Sequence, residues 1–282
     1  MRVRRFQVGS LGEMETMAIR AVLFDLDDTL LWDERSVAET FAAVCAEAAR
    51  RCGVDPEALE SAVRREAKDL YASFETYPFT QMIGINPFEG LWADFREGEH
   101  EQFRKLEQLA PYYRKQSWTR ALRTLGVDDE ELGAFLGDMF HDERRRRPIV
   151  YDDTFETLDR LKGSYKLLLL TNGAPDLQRE KLNGVPQLET YFDHIVISGN
   201  FGQGKPAPAL FRHAMDLLGI RPEEGIMVGD KLTTDILGAN QAGMPSVWIN
   251  RHGVARSEDI VPRFEIRRLS EIPTVIDRLE NR

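Results

Sequence analysis

The chain has 282 residues, 42% hydrophobic and 30% charged, enough for one large domain or for a domain carrying a sizeable insertion around a real core. Its charge balance, 37 − 47 = −10, argues against a broad nucleic-acid footprint and against adsorption to an anionic membrane, so a small anionic substrate would need a locally positive site. No apolar run approaches the roughly 18 residues that span a bilayer, and two cysteines make no disulfide framework, so a reducing cytoplasm is the expected compartment.

Residues 1–17 (MRVRRFQVGSLGEMETM) carry early basic residues with no sustained apolar stretch behind them, a poor secretory signal, although their composition is compatible with a mitochondrial-type presequence. Met14 and Met17 each offer an alternative start, and this stretch is expected to be a disordered tail outside the folded unit. The first apolar run, Ala21–Leu26 (AVLFDL), is continuous rather than alternating, the pattern of a strand buried on both faces of a parallel sheet.

About 120 residues, from Trp32 to Val150, separate this run from the next, too many for a simple connection. Helical patterns fill them: Val37–Cys52, Pro56–Phe74, Glu99–Leu109, Ser117–Leu125 and Glu130–Arg146. The expectation is a catalytic core of residues 18–32 and 150–282 with an all-helical insertion, residues 33–149, hinged at Leu31–Glu34 and Pro148–Asp152. Trp32 would sit at the hinge or over the site. Cys45 and Cys52, seven apart in an Ala-rich helix, read as small core residues rather than a metal pair or a disulfide. The segment Tyr77–Trp92 (YPFTQMIGINPFEGLW) interrupts the helices; it is either a specificity loop facing the strand ends or a helix connection anchored by core aromatics. The Arg144–Arg147 run reads as a solvated helix C-terminus, where cations suit the helix dipole, with phosphate binding the lesser alternative.

Four further runs follow: Lys166–Leu170 (KLLLL), His194–Ser198 (HIVIS), Gly225–Val228 (GIMV) and Ser246–Ile249 (SVWI). Helical patterns accompany them at Asp152–Lys162, Pro208–Leu218 and Leu232–Ala242, the last ending at Gly243. Strands alternating with helices indicate an α/β fold, a doubly wound and mainly parallel Rossmann-like sheet. In such sheets ligands bind beyond the carboxyl ends of the strands. The residues there are Asp25-Leu26-Asp27-Asp28-Thr29, Thr171-Asn172-Gly173 and Gly229-Asp230 with Asp235, while Gly204-Lys205-Pro206 lies between the third and fourth runs.

Each residue type has work to do in phosphoryl transfer. One carboxylate can attack phosphorus, giving an aspartyl-phosphate. A second can protonate the leaving alkoxide and later activate water. Crowded acids call for a hard divalent cation, and magnesium suits carboxylates while keeping several waters. Thr171 can donate its hydroxyl, and Asn172 its backbone N–H, to non-bridging phosphate oxygens, and Lys205 adds positive charge. Taken singly, Asp27-Asp28-Thr29 could be a turn and helix cap, and the other segments ordinary loops; their conjunction at strand ends points to a catalytic site.

At these residues the sequence resembles the haloacid dehalogenase superfamily, whose four motifs match Asp25-Leu-Asp27-Asp-Thr29, Thr171, Lys205 and Gly229-Asp230…Asp235 without departure. The likeness covers roughly Ala18–Trp32 and Val150–Asn250, and the insertion matches the family's helical cap in the first-motif loop, at a larger size than is usual. The resemblance implies that Asp25 is the nucleophile and a metal ligand. It makes Asp27 the general acid/base, with its carbonyl on magnesium, and Asp230 the third ligand. Asp235 would support the metal shell or Lys205, and Thr29 would shape the turn. Family dehalogenases generally lack an acid at the position of Asp27 and need no metal, so Asp27 and Asp230 together favour the phosphatase branch over dehalogenase. Family phosphomutases keep all four motifs and differ in needing a cap that holds a bisphosphate intermediate, and four intact motifs weigh against a non-catalytic binding protein. The LWDERSVAETF start, the INPFEGLW loop and the VGDKLTTDILGA segment resemble a Bacillus-type subgroup assigned as phosphoserine phosphatases. Phosphoserine is the leading expected substrate, with a cap Arg and a cap Glu to hold it; a sugar phosphate, an acyl-sugar phosphate or a nucleotide is the alternative.

Overall fold

The computed structural model describes residues 18–281, so the tail expected over 1–17 lies outside the described residues. Six parallel strands, β1 (Ala21–Phe24), β2 (Lys166–Thr171), β3 (His194–Ile197), β4 (Gly225–Gly229), β5 (Ser246–Ile249) and β6 (Phe264–Ile266), form one sheet in the order β3-β2-β1-β4-β5-β6. Every residue of β1 and β4 is buried, which is why those stretches are apolar without alternation. The strand order reverses direction at β1, so the carboxyl ends of β1 and β4 flank the crevice where such sheets place ligands. The sixth strand lies beyond the apolar runs that mark the other five, because three residues, two of them half-buried, leave little pattern.

Helices cover both faces. After β1 come α1 (Asp33–Cys52), α2 (Pro56–Ala72), α3 (Tyr77–Ile83), α4 (Pro87–Gly90), α5 (Glu101–Thr124) and α6 (Glu130–Arg145). The chain then returns through α7 (Thr154–Leu161), α8 (Pro175–Asn183), α9 (Pro186–Glu189), α10 (Ser198–Phe201), α11 (Pro208–Leu218), α12 (Leu237–Gln241) and α13 (Ile272–Glu280). The expected Leu232–Ala242 helix is divided: a π-helical turn over Leu232–Ile236 precedes α12. No helix is long and apolar enough to cross a membrane among the described residues.

The insertion has its own apolar core, in which Phe41, Trp118 and Phe140 meet ring to ring, Phe41 and Phe140 with centroids 4.7 Å apart. Ala174 and Leu177, at the start of α8, join that core from the sheet side. Two expected helices, Glu99–Leu109 and Ser117–Leu125, are one: α5 runs through Pro111. The proline removes one hydrogen-bond donor, but Phe103, Leu106 and Ala110 before it and Tyr113, Trp118 and Leu122 after it are all buried, and that packing outweighs the local break. The interrupting segment Tyr77–Trp92 holds two short helices, the second begun by a capping box between Asn86 and Glu89.

The chain enters and leaves the insertion side by side. Leu31 bridges to Val150, Trp32 N donates to Ile149 O at 2.8 Å, and the rings of Trp32 and Tyr151 stack at 5.1 Å. Trp32 is therefore a crossing-point residue rather than a roof over the strand ends. Arg144 corrects the reading of the basic run as solvated: it is buried against Asp33, while Arg145 reaches Glu180 of α8 and Asp94. Helix–dipole logic sees only the local helix end; here the end points into an acidic interior. Cys45 is buried, Cys52 is half-buried, and both are free.

Candidate active site

Beyond Phe24 the chain keeps the ladder for one residue, Asp25 N donating to Val228 O at 2.9 Å, and then turns. Leu30 N and Leu31 N both return to Leu26 O, and Asp28 takes a left-handed φ of 59°, which a short polar side chain tolerates. The turn aims Asp25 and Asp27 off the strand end. Thr29 is buried beneath it, its carbonyl receiving Arg251 Nη2 at 3.1 Å.

Asp25, Asp27, Asp28, Asn172, Lys205, Asp230 and Asp235 line one cavity of about 610 Å³ at the carboxyl ends of β1 and β4. Thr171 lies at the end of β2, buried, its Oγ1 accepting from Gln178 Nε2. Lys205, nearly inaccessible, contacts Asp25 Oδ1 and stands 2.7 Å from Asp235 Oδ1 and 2.8 Å from Leu170 O. Its backbone is clamped by the Asn172 side chain, which accepts from Lys205 N at 2.8 Å and donates to Lys205 O at 3.0 Å. Asn172 thus has a structural task beyond the backbone N–H expected of it. Gly229 is needed for close approach: a Cβ there would lie 2.4 Å from Asp235 Cγ, so the glycine lets Asp235 fold back, where its Oδ2 accepts from Lys231 N at 3.0 Å.

Burial drives the electrostatics. It pushes the Asp25 carboxyl up to about 7, partly offset by Lys205 and reinforced by Asp235 and Asp27. Burial, then Asp235, Asp25 and Asp28, holds Asp230 well above the usual carboxylate range. Burial also raises Asp28 to about 7 despite the hydrogen bond from Glu34 N. Lys205 is pushed up, because Asp235 and Asp25 outweigh the opposing effect of its burial. Oxygens of Asp25, Asp230 and Asp235 lie within 4.8 Å of one another. This close, all-oxygen set of carboxylates fits a hard divalent cation. The side chain of Asp27 stands apart from that trio and faces α8.

Sequence reasoning missed that facing wall. Asp27 Oδ2 accepts from Gln178 Nε2 at 3.1 Å and from Lys181 Nζ at 2.8 Å, while Oδ1 is buried without a hydrogen-bond partner among the described residues. Lys181 also meets Glu89 Oε1 at 2.8 Å and Asp33 Oδ1 at 3.8 Å. These acids, Asp27 first, then Asp33 and Glu89, raise Lys181 against the opposing effect of its burial. Asp33 is held low, since Lys181 and Arg144 outweigh its burial, whereas burial keeps Glu89 high in spite of Lys181. The available signal was the spacing in α8: Gln178 and Lys181, three apart, share a helix face next to Thr171.

The insertion supplies Gln81, Gly84, Asn86 and Glu89 to the cavity lining, so the Tyr77–Trp92 segment does face the strand ends. It docks through its backbone: Gly204 N donates to Met82 O at 2.9 Å, and Ser198 Oγ to Ile83 O at 2.6 Å.

Residues 19–243 match the family profile described as haloacid dehalogenase-like hydrolase. The chain is 35% identical over 257 residues to a phosphoserine phosphatase of Thermus thermophilus, covering 90% of this chain and 98% of that one. It is 33% identical over 270 residues to a glyceraldehyde 3-phosphate phosphatase of Methanopyrus kandleri, covering 93% and 98%. Among solved structures, the magnesium-bound putative HAD-hydrolase YfnB of Bacillus subtilis matches with a TM-score of 0.64 over 92% of this chain and 99% of that one; at 21% identity this speaks to fold alone.

Proposed function

The chain belongs to the haloacid dehalogenase-like hydrolases, and from that membership we propose that it is a magnesium-dependent phosphomonoesterase whose nucleophile is Asp25. The observation that carries this reading is the carboxyl pair in one cavity: Asp25 against buried Lys205, and Asp27 with one oxygen left unpartnered. Displacement of a halide from carbon needs a nucleophile alone. Cleavage of an alkyl phosphate also needs a proton for the departing oxygen, and Asp27 is placed to give one.

In the first step a carboxylate oxygen of Asp25 bonds to phosphorus as the ester P–O bond breaks, and the leaving oxygen takes the Asp27 proton. In the second, Asp27 removes a proton from water, the water oxygen bonds to phosphorus, and the Asp25–phosphorus link breaks. This releases phosphate, restores the Asp25 carboxylate and leaves Asp27 protonated. Lys205 holds Asp25 and answers phosphate charge, while the Thr171 hydroxyl and the Asn172 backbone N–H receive non-bridging oxygens. Asp25, Asp230 and the Asp27 backbone carbonyl would hold magnesium, with Asp235 fixing Lys205 and the metal shell; the ion supplies charge neutralisation on the phosphoryl oxygens. Residues 33–149 act as a cap over this chemistry.

The full-length likeness to a phosphoserine phosphatase makes phosphoserine the first substrate to test. One observation favours a second reading, a phosphorylated sugar or polyol: the insertion lends the cavity uncharged Gln81 and Asn86 and the acids Asp33 and Glu89, and no arginine among the described lining residues. The expected cap Arg is thus absent from that lining, and Lys231 of the sheet side is the remaining cation for a substrate carboxylate. A panel of phosphate esters compared by kcat/KM decides between them; phosphoserine ranking well below triose and sugar phosphates sinks the first. The chemistry is tested by hydrolysis of an aryl phosphate with magnesium, with chelator, and by Asp25→Asn. Loss on the order of 10⁴-fold or more is expected for the substitution, and activity surviving both chelator and Asp25→Asn refutes the mechanism.

A further inference from the structure

We propose that Lys181 and Glu89 are positioning residues for Asp27: the insertion, through Glu89, holds the lysine that fixes one oxygen of the acid/base and leaves the other for the reacting atoms. The inference rests on the reading of Asp27 as acid/base and goes beyond it, since neither residue belongs to the motifs that carry that reading.

Three geometric facts support it. First, two donors from α8, Gln178 Nε2 at 3.1 Å and Lys181 Nζ at 2.8 Å, converge on Asp27 Oδ2, while Oδ1 has no hydrogen-bond partner among the described residues. A carboxyl group pinned at one oxygen can rotate little, so its second oxygen keeps a fixed aim. Second, Lys181 is itself pinned. Its side chain is 2% exposed and meets Glu89 Oε1 at 2.8 Å. Third, Glu89 has no freedom of its own, because its Oε2 accepts from Asn86 N at 3.0 Å in the capping box that starts α4. A rigid path therefore runs from the insertion backbone at Asn86, through Glu89 and Lys181, to Asp27.

The same helix carries the insertion along its length. Asp176 accepts from Arg96 N at 2.8 Å, Arg179 pairs with Glu97 at 3.4 Å, and Glu180 meets Arg145. These contacts seat the insertion on α8; only the one at Lys181 continues to a carboxyl group of the cavity. With the insertion lifted, Lys181 would lose Glu89, and Asp27 would keep a lysine free to swing. Alignment of Asp27 is thereby tied to closure, and water is not activated in the open site.

The experiment is stopped-flow hydrolysis of 4-nitrophenyl phosphate by the intact magnesium-loaded enzyme, alongside steady-state turnover of an alkyl phosphate. Nitrophenolate leaves without a proton, so phosphorylation of Asp25 does not require Asp27, whereas hydrolysis of the aspartyl-phosphate does. In Asp27→Asn a full burst of nitrophenolate should precede a slow steady phase; absence of that pattern refutes the acid/base reading itself, whatever Lys181 does. With that pattern in hand, Glu89→Gln, which keeps the side chain's shape, and Lys181→Met should retain the burst amplitude while the steady phase and alkyl turnover fall roughly tenfold to a hundredfold, a fraction of what general acid/base catalysis contributes. The double variant should be no slower than Lys181→Met alone, since Glu89 acts through the lysine. Burst and steady phase falling together in Glu89→Gln, steady rates within twofold of the parent enzyme, or multiplying losses in the double variant would each overturn the proposal.

Discussion

Gly84 offers a direct test of whether the docked insertion is the working state. It ends α3 with φ +81°, and a Cβ built there would lie 2.5 Å from Asn172 Nδ2 and 2.8 Å from Asn172 Cβ. Gly84→Ala therefore meets two penalties. The left-handed backbone costs about 1 kcal/mol for an L side chain, and crowding of this kind typically adds about 1–3 kcal/mol. The two act on different equilibria. Backbone strain persists while the segment is folded; the clash exists only while the insertion is seated on the sheet, and lifting relieves it. At about 1.4 kcal/mol per decade, the clash should lower the seated population, and with it kcat/KM, roughly 5- to 150-fold. Gly53→Ala is the control, because Gly53 has φ +74° and nothing within 4 Å of its would-be Cβ. It should show the backbone loss in denaturant melts with unchanged turnover. Gly84→Ala should match it in stability and differ in kcat/KM. A kcat/KM for Gly84→Ala within twofold of Gly53→Ala would refute the idea that turnover passes through this docked arrangement.

Three more expectations follow from the electrostatics. Arg144→Met leaves Asp33, whose side chain is 13% exposed, without its main guanidinium partner, so equilibrium unfolding should show a loss of about 3 kcal/mol or more; Arg50→Ala, which breaks an exposed pair with Glu47, should stay within about 0.5 kcal/mol. Magnesium at a hundredfold excess over its dissociation constant should stabilise the fold by about 2.7 kcal/mol in thermal melts, and Asp230→Asn should abolish most of that shift; an equal shift in the variant would place the ion elsewhere. Burial pushes the Cys45 thiol up to about 12, so at pH 8 iodoacetamide should label Cys52 first in the native protein and both cysteines in urea; prompt labelling of Cys45 would contradict its placement in the insertion core.

The strands and the edge that carries the candidate site were legible in the chain because their signals are local. Ala21–Phe24 and Gly225–Gly229 are apolar on both faces wherever the sheet runs, and Asp25, Thr171 and Asp230 sit at strand ends by sequence position alone. The order of the strands then brings those ends together. Long helices of the insertion were legible from periodicity, except where Pro111 suggested a break that tertiary packing overrides. What only the folded molecule decided is the second wall of the site. Lys181 is 154 residues from Asp27 and 92 from Glu89 along the chain. A buried lysine is favourable only with acids around it, and those acids come from a turn, a helix start and an inserted loop that share no local pattern. The same holds for Arg144, read locally as a solvated helix end and found against Asp33. Sequence determines which groups can do the chemistry, since that depends on residue type and strand position; docking of the insertion determines which of their oxygens are held and which are left free.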